Sequence, residues 1–158
     1  MAPTPSTYDD WIWSDQSNVH ITNHPDWFVT FTCFETHVTA DDKKRQVLGV
    51  GDIELTLRTD LRSRPTLGRG LETIVLRDVL YAPAALCNVI GLPLLTNYSL
   101  VGMNNKLTKL YGKSTTGVRG LVDGLSMKKF LLEGQKPGSP TLETQQICIE
   151  WSQEERQI

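Results

Sequence analysis

The sequence predicts an all-β fold, and three observations predict it. Apolar and polar residues alternate through Ile53, Leu55 and Leu57, the period of a strand with one buried face. Runs rich in aromatic and β-branched residues, such as Trp27-Phe28-Val29-Thr30-Phe31-Thr32, recur between turn-forming stretches. One short helix is expected within this pattern, beginning at Pro93, where proline suits a first helical turn.

In chain order, Trp11-Ile12-Trp13 begins the first strand and Trp27 to Thr32 makes another. Gln46 to Arg58 is a third, interrupted near its start by Gly49 and Gly51, as in a bulge or a bent hairpin arm. Thr59 to Gly70 reads as a polar loop. Thr73-Ile74-Val75-Leu76 and Val79-Leu80-Tyr81 are two further strands, stopped by Pro83. Asn88-Val89-Ile90-Gly91-Leu92 leads into the helix at Pro93, and Ser99 to Gly112 and Gly117 to Leu132 complete the β pattern. Lys136-Pro137-Gly138-Ser139-Pro140 is the clearest linker. Past it, Gln145 to Trp151 reads as a last strand. Ser152-Gln153-Glu154-Glu155 then has the capping-box pattern of a helix start, with too little chain after it for a stable helix. The expected division is a disordered N-terminal tail over 1–10, a β-barrel domain over 11–134, and a linker with a C-terminal extension over 135–158. An unfinished helix at the end suggests a fragment of a longer protein.

Composition narrows the function classes. A chain of 158 residues is long enough for one buried core, and 39% hydrophobic with 22% charged residues is ordinary for a globular domain. Sixteen basic against eighteen acidic residues leave a net charge of -2, which carries no footprint for nucleic acid. Lys43-Lys44-Arg45 and Arg58, Arg62, Arg64 and Arg69 read as solvated loop charges. Three separated cysteines form no metal or redox pair and suit a reducing, intracellular setting in cytoplasm or nucleus. No apolar run reaches the roughly 20 residues of a membrane span. His20 and His24 have a spacing that would suit a metal pair on a helix, with His37 as a third ligand, but Pro25 and the strand-like surroundings argue against it. Gly49-x-Gly51 lacks the third glycine and helix of a nucleotide loop. Neither metal nor cofactor is expected. The four tryptophans read as core, and Ser17 and Asn18 as caps of local turns.

The segment Trp11-Ile12-Trp13-Ser14-Asp15-Gln16-Ser17-Asn18-Val19-His20-Ile21 resembles the active-site segment of retropepsin-like aspartic protease domains in copia-type retrotransposon Pol polyproteins. That pattern reads Trp-Ile-x-Asp-Ser-Gly, a small residue, Ser or Asn, any residue, His and an apolar residue, usually with an aromatic pair further on. Trp11, Ile12, Ser17, Asn18, His20, Ile21, Trp27 and Phe28 fit it without a gap. Val47-Leu48-Gly49-Val50-Gly51 is similar to the stretch leading into the flap. Leu76-Arg77-Asp78-Val79-Leu80-Tyr81-Ala82-Pro83 with Asn88-Val89-Ile90-Gly91-Leu92-Pro93-Leu94-Leu95 is similar to the ending. The resemblance covers roughly 11–134, and the stretch around Trp151 is similar to the region C-terminal to this domain in fungal copia-type polyproteins. It implies a small closed antiparallel barrel, retropepsin-like, with one short helix.

The implied chemistry requires an aspartate from each of two subunits, the pair sharing one proton. One carboxylate activates water while the other protonates the scissile carbonyl. Aligned without a gap, the aspartate position holds Ser14, and Asp15 and Gln16 replace its Ser/Thr and Gly neighbours. A serine hydroxyl cannot share the proton. Use of Asp15 would need a one-residue slip, which turns a side chain to the opposite face of an extended segment. Asp15 would also place like charges across the family's twofold, which weakens a homodimer. Two functions are consistent with this: a catalytically inactive domain binding an extended peptide or protein partner, or an aspartic endopeptidase working as a homodimer through Asp15.

Overall fold

The computed structural model describes residues 10–114, 116–125, 127–137 and 147–156. Twelve strands in this part of the chain join one sheet. They are β1 (Trp11–Trp13), β2 (His20–Thr22), β3 (Phe28–Ala40), β4 (Lys43–Arg58), β5 (Thr66–Leu67) and β6 (Gly70–Tyr81), then β7 (Asn88–Ile90), β8 (Tyr98–Val101), β9 (Leu107–Gly112), β10 (Val118–Asp123), β11 (Lys128–Phe130) and β12 (Ile149–Glu150). The sheet path is β12-β3-β4-β6-β2-β7-β1-β11-β10-β9-β8, with β5 beside β6. Pairing is mostly antiparallel; β1–β7, β2–β6 and β5–β6 are parallel. The all-β expectation holds. The sheet curls into a half-barrel whose path, among the described residues, ends at β12 and β8 without these two strands pairing.

Why the sheet curls is visible in burial. Trp11, Ile12 and Trp13 are all buried, because β1 lies between β7 and β11 with core on both faces. Trp11 and Trp13 enter one cluster with Ile53, Leu55, Leu57 and Ile74. Ile12 enters the other, with Val19, Ile21, Val38 and Val89. Trp11 meets Trp27 edge to face, their ring centroids 5.6 Å apart. The alternation read at Ile53, Leu55 and Leu57 therefore marks the inner face of β4, as expected.

Three local expectations are corrected. Residues 73–76 and 79–81 belong to one strand, β6, whose phase reverses at Asp78. Asp78 has φ 56°, and its N–H donates to Asp52 Oδ1 at 3.3 Å while Arg77 bridges Asp52 Oδ2 at 3.0 Å. This bulge faces the register shift between Gly51 and Ile53, so one strand reads as two. Arg58 is no solvated loop charge: it is buried, and its guanidinium donates to Gln135 O and Arg62 O. Lys43 to Arg45 open β4 rather than a loop. Gly49 and Gly51 serve close approach, since a Cβ at Gly49 would meet the Phe31 ring and one at Gly51 the carbonyl of Thr30. Phe28, Phe31 and Tyr81 pack edge to face in this region.

The short helix expected from Pro93 forms as a 3-10 turn, Leu92–Thr96, with proline in its first positions. A second 3-10 turn covers Pro25–Trp27. The capping box also forms: Ser152 N–H donates to Glu155 Oε1 and Glu155 N–H to Ser152 Oγ. It opens helix α1 (Gln153–Arg156), held further by Thr36 Oγ1 donating to Glu155 O and by the Arg156 guanidinium over the Trp151 ring. These tertiary contacts supply what so short a helix lacks by itself. Of the expected tail, residues 1–9 lie outside the described residues; Asp10 is buried beside Gln135 and Lys129. Residues 138–146, including most of the expected linker, also lie outside them. No described helix is long and apolar enough to cross a membrane.

β3 and β4 are joined by Asp41-Asp42, both with positive φ (51° and 68°). Two such residues make the type I′ turn that matches strand twist. Asp41 is held in it by accepting the Cys148 N–H on Oδ1 at 3.0 Å. Asp42→Gly, which removes the Cβ penalty of a left-handed conformation, is expected to stabilise the fold by about 0.5–1 kcal/mol. A urea midpoint unchanged or lowered in the variant would refute this.

Candidate functional site

The Ser14–Asn18 loop joins β1 to β2, and its backbone is fixed from several sides. Ser14 N–H donates to Ile90 O at 3.0 Å, and Leu92 N–H donates to Ser17 O at 2.8 Å. The end of β7 thus runs directly beneath the loop. Gly91 sits at the crossing, where an added Cβ would lie 2.3 Å from Val19 O and 2.7 Å from Ser17 O. Gly91 N–H donates to His20 Nδ1 at 3.0 Å. His20 is buried, and burial pulls its pKa down to about 4, so the ring is neutral with its proton on Nε2.

Ser14, Asp15 and Gln16 have different fates. Ser14 is 7% exposed, and its hydroxyl donates to Ile147 O while accepting from Gln16 N–H. Asp15 and Gln16 are exposed, and the Gln16 amide reaches Asp15 Oδ1 at 3.4 Å. Ser17 is fully buried and its hydroxyl donates to Val19 O at 2.7 Å, a local turn bond as expected. Asn18 does something the sequence did not disclose. Its amide NH2 donates to Trp151 O at 3.0 Å and its Oδ1 accepts Trp151 N–H at 2.8 Å, a clamp across 133 residues. No local signal could have found it.

The chemistry of the loop is set by these bonds. For Ser14 to act as a nucleophile, a base would have to take its proton. That proton points at a backbone carbonyl, and the three histidines are separated. His20 Nδ1 holds Gly91, His24 Nδ1 accepts Asp26 N–H, and His37 lies in β3. The histidine metal set is accordingly not assembled. Among the described residues no group of three or more His, Cys, Asp or Glu side chains is placed to hold a metal ion. A cavity of about 310 Å³ opens beside Trp13, Ser14, Asp15 and Lys128. Lys128 is committed to the fold: Nζ donates to Thr108 Oγ1 and to the carbonyls of Gly124 and Asn105. Burial lowers its pKa, opposed by the Asp123 charge. Cys87, buried, has its thiol pushed up to about 12 by burial, with the charges of Asp41 and Asp10 adding to it, and is inert at neutral pH.

The segment Ile147 to Trp151 lies between the Ser14–Asn18 loop and the Asp41-Asp42 hairpin tip. Toward the loop, Ile149 N–H donates to Gln16 O and Asn18 N–H donates to Ile149 O, both at 3.1 Å. Toward the hairpin, Ile149 and Glu150 pair with Ala40 and Thr39, and Asp41 N–H donates to Cys148 O at 2.8 Å. A larger cleft of about 630 Å³ begins at Asn18 and Trp151 and extends past Phe34, Arg77, Tyr98 and Arg156.

Among known families, the model of the Pol polyprotein beta-barrel domain matches residues 11–100, more than half of the chain. The chain belongs to this family. The match spans β1 through most of β8, and so includes the Ser14–Asn18 loop, the long hairpin and the Gly91 crossing of this Pol beta-barrel domain. No curated protein and no solved structure matches the chain.

Proposed function

We propose that this Pol-derived domain is a catalytically inactive relative of the retropepsin-like domains of copia-type polyproteins, and that it works as a protein- or peptide-interaction module. The observation that carries this reading is the state of Ser14. At the position where the resemblance expects the dyad aspartate, a buried hydroxyl is bonded to the chain's own Ile147 carbonyl. It supplies neither the shared proton nor the negative charge of a carboxylate pair. Asp15, the remaining carboxylate, is exposed beside Gln16. The long β3–β4 hairpin and the loop hold an extended segment between them, the chain's own Ile147–Trp151, in the manner of strand addition. The partner is accordingly an extended peptide or protein segment.

A cleavage assay tests this. The full chain and its Asp15→Asn variant, incubated with a mixed peptide library at acidic and at neutral pH, are both expected to leave the peptides intact by mass spectrometry. Cleavage that disappears in Asp15→Asn would instead support an aspartic endopeptidase, working as a homodimer through Asp15.

A further inference from the structure

We propose that the groove between the Ser14–Asn18 loop and the Asp41-Asp42 tip is a strand-receiving site of defined chemistry, and that Ile147–Trp151 is an exchangeable strand filling it in cis. The inference deepens the interaction-module reading and rests on it.

The backbone polar groups of the segment are satisfied from two flanks that belong to different parts of the fold. Ile149 bonds toward Gln16 and Asn18, whereas Cys148 and Glu150, by strand alternation, bond toward Asp41 and β3. A strand held on both sides is the arrangement of a bound peptide in strand addition. Apart from Arg156, which follows the segment in the same stretch and donates to Trp151 O, the polar groups that hold it belong to residues before position 42: the Ser14 hydroxyl, the backbone of Gln16 and Asn18, the Asn18 amide, β3 and Asp41. The groove is therefore built without the strand.

Side chains define what the groove accepts. Ile149 is 4% exposed and enters the cluster of Ile12, Val19, Val38 and Val47. Ile147 and Trp151 pack against the same cluster in part, and Trp151 meets Phe34 edge to face. Cys148 and Glu150 are exposed. The accepted sequence is thus apolar, any, apolar, any, aromatic. At the aromatic position the Asn18 amide pairs with the peptide unit whatever the side chain, so it fixes register rather than identity.

Exchange would bring in the same strand from a second copy. The test uses the full chain carrying Ile149→Asp, which makes the cis strand a poor occupant and leaves the groove untouched. The probe is a labelled synthetic peptide of residues 147–156. The variant is expected to bind it, and the unmodified chain roughly tenfold or more weakly, because a tethered competitor acts at high effective concentration. Peptide carrying Ile149→Asp should not bind, and Asn18→Ala in the variant should abolish binding. A folded variant that ignores the peptide, or takes both peptides alike, overturns the proposal. If Ile149→Asp unfolds the chain, hydrogen exchange on the unmodified protein decides. The amides of Asn18, Asp41, Ile149 and Trp151 should exchange as a group, roughly tenfold or more faster than those of Ile53 and Leu55 in β4. Exchange at the same rate as β4 makes the segment an integral strand and refutes the idea. Peptide cleaved during the assay would sink the inactive reading and leave the groove standing, whereas peptide intact and unbound would do the reverse.

Discussion

Gly91→Ala is expected to destabilise the domain by about 3 kcal/mol, the upper end of what overpacking usually costs. The reason is what the new methyl would meet. Its nearest neighbours are the carbonyls of Val19 and Ser17 at 2.3 and 2.7 Å, and backbone cannot rotate aside as a side chain does. Moving them disturbs Leu92 N–H to Ser17 O and Gly91 N–H to His20, so the Ser14–Asn18 loop would shift as one piece. In thermal unfolding the loss corresponds to roughly 6–12 °C for a domain of this size. Gly68 supplies the contrast: a Cβ there meets nothing within 4 Å, but φ is +83°, so alanine should cost only about 1 kcal/mol. Equal losses at the two sites would show that the crossing is not sterically closed.

Acid should destabilise the fold through His20 by about 3 kcal/mol in total. The unfolded chain takes up a proton as pH falls through 6.5, while the folded chain, with its pKa lowered to about 4, resists. The unfolded state therefore binds more protons across that window. The contribution of His20 is fully present above pH 6.5 and is lost progressively down to about pH 4. Geometry points the same way, because a protonated Nδ1 would face the Gly91 N–H that it now accepts. His20→Asn keeps an acceptor near that N–H and removes the titration. Urea midpoints measured from about pH 7.5 to about pH 4 should fall less steeply in the variant than in the unmodified chain. Parallel curves would remove His20 as the cause.

Much of the fold was legible because alternation reports which face of a strand is buried. Ile53, Leu55 and Leu57 point inward as read, and Trp11 and Trp13 are core. Alternation does not report whether two edge strands meet, so the closed barrel expected from the resemblance becomes, in the described residues, a curled half-barrel. Phase is equally silent about bulges. At Asp78 the inward set changes from Ile74 and Leu76 to Val79, and one strand looks like two. Arg58 misled for a different reason: two nitrogens of its guanidinium donate to the carbonyls of Gln135 and Arg62, acceptors that have no side-chain signature. In the site, the sequence drew attention to Ser14, Asp15 and Gln16 through the resemblance alone. The bond of Ser14 to Ile147 and the hold of Asn18 on Trp151 were not legible, because each joins residues 133 apart.

The place of β1 has a consequence for how the domain reaches its native state. Three residues near the start of the chain lie between Asn88–Ile90 and Lys128–Phe130. Both ladders close very long loops, so little reward accrues until most of the sequence is available. A ribosome would release Trp11 and Trp13 well before their partners exist. Until then these rings are exposed apolar surface, and the domain depends on completion of its own synthesis, or on a chaperone, to cover them.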